Sequence, residues 1–137
     1  MKYPITAKDV KNEILISSDS SGDLRIKQLI TILANAASEI IVEGVIRVIE
    51  TEGRPNSFRD QELAAQILAE VKPKTPKSLD EVLKRALKNW NKSVKQFLLW
   101  LQEDYGVEAL NTELQQSQET DKVNTMKWWL GISQSSG

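Results

Sequence analysis

A short hydroxyl residue stands three positions ahead of an acid where helix starts are expected: Thr6 before Asp9, Ser57 before Asp60 and Ser78 before Glu81. In such a pair the hydroxyl oxygen accepts from the orphan N–H groups of a helix start, and the acid sits at the helix's positive end. No run of period-two alternation is long enough to compete as a strand, so the chain is expected to be all-α.

Between these starts the stops are equally plain. A first helix is predicted over residues 7–17, with Val10 and Ile14 on one face, ended by the Ser/Asp/Gly run of residues 17–22. A second is predicted over residues 23–52, where Gly53 supplies a left-handed stop and Pro55 bars continuation. Residues 58–71 form a third, with Leu63, Ala64, Ile67, Leu68 and Val71 as its buried face. Pro73 and Pro76 make residues 72–77 an extended bend. A fourth helix spans residues 79–104 and ends at Gly106. A short one follows through Val107, Leu110 and Leu114, and then a polar break at residues 115–119. A last helix covers residues 121–130, carrying Val123, Met126, Trp129 and Leu130. The expected fold is a compact bundle of four to six helices around the long helix of residues 23–52. Residues 1–133 form one domain, and residues 134–137 a disordered tail.

The second segment is apolar on nearly all sides. From Leu29 to Ile49 its only charges are Glu39, Glu43 and Arg47, spaced by four, so this helix is either the central one or also half of a homo-oligomer contact. Glu39 and Glu43 share a face, as a metal-binding carboxylate pair would, but no second acidic motif faces them, and Arg47 pairs more simply with Glu43 at i+4.

Charge is distributed unevenly. Lys72 to Lys95 carries eight Lys/Arg against two acids in a chain of net charge −1. At about 100° per residue, Lys77, Lys84, Arg85, Lys88, Lys92 and Lys95 project within an arc of about 100° on the fourth helix, opposite Leu79, Val82, Leu83, Leu87, Trp90 and Phe97. From Lys84 to Lys95 the stripe would run about 16 Å at about 1.5 Å per residue, enough to meet an acidic protein surface or to follow several phosphates. Trp90 falls mid-arc and reads as core; Trp100 falls at its edge and reads as partly exposed. Trp128 and Trp129, about 100° apart on the last helix, place at least one indole outward as an interface anchor.

Chemistry is narrowed by what is missing. The chain has no cysteine and no histidine, which removes disulfides, thiolate nucleophiles, imidazole or thiolate zinc sites and the usual proton-transfer group near neutral pH. No enzymatic activity, cofactor or metal is expected. Residues 1–5 hold no apolar signal core, and the charge-free stretch of residues 28–38 is short of the roughly 20 residues of a membrane span, so a cytoplasmic location and no membrane contact are expected. The reading is a non-enzymatic helical interaction protein, an adaptor or assembly subunit. Its partner-binding residues are Lys77, Lys84, Arg85, Lys88, Lys92, Lys95, Trp128 and Trp129, facing an acidic protein. The alternative is a nucleic-acid-binding accessory subunit using the same stripe on the phosphate backbone.

Overall fold

The computed structural model describes residues 6–20, 23–117 and 120–130. The expected tail at residues 134–137, the Ser21–Gly22 end of the first break and residues 118–119 of the last one lie outside the described residues. The expectation of an all-α chain holds, but that of four to six helices does not: the described residues form eight. They are α1 Ala7–Asp19, α2 Leu24–Leu33, α3 Ser38–Glu50, α4 Ser57–Val71, α5 Leu79–Ala86, α6 Lys95–Tyr105, α7 Val107–Gln116 and α8 Asp121–Trp129.

The long central helix expected over residues 23–52 is two helices. Unbroken, it would extend about 45 Å, beyond the roughly 30 Å width of a small domain, leaving apolar residues at one end without a core to cover. The chain instead turns at residues 34–37, with Asn35 and Ala36 bonded back to the Ile32 and Leu33 carbonyls and Ala37 extended. Leu29 and Leu33 of α2 and Ile41, Val42, Val45, Ile46 and Ile49 of α3 then enter one core. The central role falls to α3, which packs on α1, α4 and α5. Its close approach to α1 depends on Gly44, where a Cβ would lie 2.6 Å from both Cβ and Cγ1 of Val10.

The fourth helix expected over residues 79–104 is also broken, at residues 87–94, by side chains that compete for backbone groups. Asn89 Nδ2 donates to the carbonyls of Ile49 (3.1 Å) and Thr51 (2.9 Å), and Asn91 Oδ1 accepts from Ser93 N–H at 2.9 Å. Gln61 of α4 closes the arrangement, donating to Asn89 O and accepting from Asn91 N–H. Trp90 is buried as expected, its Nε1–H donating to Val94 O.

Trp100, expected at the edge of the apolar face, is only 3% exposed. The proline connector lies over it: Trp100 Nε1–H donates to Pro73 O at 2.9 Å, and Tyr105 O–H donates to Lys77 O at 2.9 Å. Two of the three hydroxyl–acid pairs cap as expected, Thr6 with a reciprocal bond from its own N–H to Asp9 and Ser78 on the N–H of Glu81. Ser57 does not: α4 begins after Asn56, and Asp60 turns to Arg54 instead. Gly53 adopts a left-handed φ of +78°, but it does not stop the helix as expected: α3 already ends at Glu50, where Thr51 turns extended with its N–H on the Val48 carbonyl.

Candidate functional site

The predicted lysine stripe requires one straight helix from Leu79 onward. Because α5 ends at Ala86, its six cations divide into two groups with different surroundings.

The inner group is Lys77 and Arg85, which face α3. Arg85 forms a bidentate pair with Glu43 (Nη1 to Oε1 2.7 Å, Nη2 to Oε2 2.8 Å) and a second with Glu50 (Nη2 to Oε1 2.6 Å, Nε to Oε2 3.0 Å). Lys77 Nζ lies 2.9 Å from Glu43 Oε1, and Arg47 donates to Glu43 Oε2 at 2.8 Å, the i+4 pair read from the sequence. Glu43 therefore meets three cations. The Arg85 guanidinium holds its carboxyl well below the usual carboxylate range, against the opposing effect of burial, and the Lys77 ammonium is held above its ordinary value chiefly by Glu43. All three of Glu43, Lys77 and Arg85 are largely covered, so these two cations tie the proline connector and α5 to α3 and do not stand on an open face.

The outer group is Lys84, Lys88, Lys92 and Lys95. Lys84 pairs with Asp80 at 3.1 Å across one exposed turn, an interaction of little energetic weight. Lys92 pairs with Asp121 of α8. Lys95 Nζ stands 4.6 Å from the ring centroid of Trp129, a cation–π contact. From the other side, Lys122 Nζ donates to the Lys88 carbonyl at 3.0 Å, and its ammonium is held below the ordinary value by burial and by nearby Lys92. Two lysines of the stripe and one of α8 thus stitch α8 across the α5–α6 connection. Of the outer group, Lys88 and Lys95 have no ion-pair partner among the described residues.

On α8 the inward face is Val123, Met126 and Lys127, at i, i+3 and i+4. Lys127 takes the place the sequence reading assigned to a tryptophan. Trp128 and Trp129 consequently both reach solvent, at 70% and 38% exposure, with ring centroids 5.0 Å apart and planes at 67° in an edge-to-face pair.

Residues the stripe did not include complete the surroundings. A groove of about 750 Å³ separates the end of α5 from the end of α7 and the start of α8. Leu83, Leu87 and Val123 line its base, with Lys84, Lys88 and Lys122 and the acids Asp80, Glu113 and Asp121 around it. The one sequence signal for this region is the Thr120 cap, whose hydroxyl accepts from Val123 N–H. No cluster of three acids suited to a metal ion occurs among the described residues, and none of their helices is long and apolar enough to cross a membrane.

Fold and surface define an all-α protein with a network of Lys/Arg–Asp/Glu pairs that join helices distant in sequence. No protein-family model matches the chain, and neither a curated protein nor a solved structure matches it significantly.

Proposed function

We propose that this chain is a non-enzymatic cytoplasmic interaction protein, an adaptor or assembly subunit, that engages a protein partner through α8 and the outer lysines. The observation that carries the reading is the edge-to-face tryptophan pair, with Trp128 70% exposed beside the Lys95 contact to Trp129. A solvent-facing tryptophan forfeits the stabilisation its burial would contribute, and tryptophan is enriched among the anchors that dominate interface energetics. An acidic partner surface complements Lys88 and the weakly paired Lys84. The same lysines are bounded by Asp80, Glu113 and Asp121 of their own chain, which favours a protein over the uniformly negative backbone of a nucleic acid.

The test compares capture by the parent chain with capture by Trp128→Ala and Lys88→Gln, alongside titration of DNA and RNA at several salt concentrations. A protein bound stoichiometrically by the parent, insensitive to nuclease and lost with Trp128→Ala, is the expected result. Nucleic-acid binding with a steep salt slope and no dependence on Trp128 would overturn the reading in favour of phosphate tracking.

A further inference from the structure

Taking the Trp128–Trp129 pair as the partner anchor proposed above, we infer that Lys95 is its positioning residue. The Lys95 ammonium fixes the plane of the Trp129 indole, and the edge-to-face contact passes that order on to Trp128, so the anchor is set before a partner arrives.

Helix electrostatics gives Lys95 no reason to stand where it does. It is the first residue of α6, at the positive end of the helix, where an acid is favoured and a cation is not. No acid occupies that first turn, and Val94 caps the helix without a side-chain bond. Counter-charges are close by: Lys95 lines a groove of about 410 Å³ between α4 and the start of α6 together with Glu62 and Glu70. Neither acid has an ion-pair partner among the described residues, yet Lys95 pairs with neither. Its ammonium stands instead 4.6 Å from the Trp129 ring centroid, inside the roughly 6 Å over which an indole face holds a cation. Natural chains concentrate such departures from local preference at functional sites.

Two indoles depend on that contact. Trp129 is 38% exposed and Trp128 70%, so neither is locked by surrounding core. Their centroids are 5.0 Å apart with planes at 67°, an edge-to-face geometry in which the orientation of one ring constrains that of the other. Held from α6, the pair is tied to a helix other than its own. An anchor ordered in the free protein spares the complex the conformational entropy of ordering it on binding. An uncharged side chain at position 95 would cover the ring without orienting it, because the attraction to the centre of the face belongs to the cation.

The test compares the full chain with Lys95→Met, which keeps an unbranched stem without the charge, and Lys95→Arg, which keeps the charge. Circular dichroism reads the pair directly, since two close indoles couple as an exciton couplet, and the part of the signal that Trp128→Ser abolishes belongs to the pair. Lys95→Met should lose at least about half of that couplet while the amide shifts of Val123 and Met126 stay at the parent's positions, and Lys95→Arg should keep it. No such couplet in the parent, a couplet unchanged in folded Lys95→Met, or one lost from Lys95→Arg as well would each overturn the assignment. A loss accompanied by displaced Val123 and Met126 amides would do the same, since Lys95 would then merely fasten α8. Binding is read separately, on the protein captured through Trp128. Lys95→Met should bind it about two- to fivefold more weakly, the factor that goes with an exposed cation–π contact, and Lys95→Arg as tightly as the parent. Equal affinity for parent and Lys95→Met would overturn the positioning role. Absence of any capture through Trp128 would overturn the anchor itself, and that failure shows in the parent, whereas failure of the Lys95 role with the anchor intact shows only in the variants.

Discussion

Glu43 is the residue on which most of the chain's electrostatic order converges, since Arg85, Lys77 and Arg47 all bond to it. Its carboxyl is depressed in the folded state, so its contribution is fully present above the unfolded value of 4.5 and is lost as pH falls below it. Glu43→Gln should cost about 1–3 kcal/mol at neutral pH, because Arg85 and Lys77 lose a charged acceptor while partly covered. Urea melts of parent and variant at about pH 7 and about pH 3 should show that gap narrowing in acid. Tyr105 works in the opposite range. Burial, with help from Asp104 and Glu81, pushes its phenol from 10.0 up to about 12. Between those values the unfolded chain releases the proton and the folded chain keeps it, so the stabilisation Tyr105 provides is present below pH 10 and declines above it. The stability advantage of the parent over Tyr105→Phe should therefore shrink from about pH 9 to about pH 11, with phenolate absorbance of Tyr105 rising only near the top of the range.

At the scale of the elements, two contacts decide how the helices meet. The α1–α3 approach leaves no room at Gly44, where a methyl would also come within 3.0 Å of the Ala7 carbonyl. Gly44→Ala gains about 1 kcal/mol of helix propensity but must displace Val10, whose Cβ is fixed to the backbone, at a cost of about 1–3 kcal/mol or more. A lower urea midpoint is the expected outcome, and a higher one would mean that the helices can part without loss. The α5–α6 break is the second. Asn89→Ala strips hydrogen bonds from the carbonyls of Ile49 and Thr51, and an equilibrium denaturation series should place its cost at about 1–3 kcal/mol. Asn89, Asn91 and Ser93 were the sequence's own signal that a helix across residues 79–104 would not hold, because such side chains bond to local backbone as readily as the helix does. The expectation of one helix over residues 79–104 rested on helix-period hydrophobicity on both sides of the break.

For the whole molecule, α8 is the arrangement that places the candidate site. Its inner face brings Met126 to complete burial while Trp128 stays outside. Met126→Ala should destabilise the protein by about 2–5 kcal/mol, the range for emptying a core position, whereas Trp128→Ser should leave the melting transition within about 0.5 kcal/mol of the parent. Calorimetry of the two variants distinguishes a docked α8 with an outward anchor from a helix held only through its tryptophans. The lysines changed role at this scale. A stripe spaced for one helix face became an inner cluster against Glu43 and Glu50 and an outer seam under α8, and the acids that made the difference lie 29 to 42 residues away in sequence.

The sequence by itself determined what is local: an all-α chain, the Thr6 and Ser78 caps, the left-handed Gly53, the Arg47–Glu43 pair and the burial of Trp90. Each depends on residues within a few positions of one another, where the period of a helix and the reach of a side chain settle the geometry. Where the long segments break, which lysines stay free, and which face of α8 turns inward were decided only by the tertiary structure. Those outcomes depend on fitting apolar surface around one core of limited width, and on carbonyls and carboxylates delivered from distant helices; the spacing along a single segment contains neither.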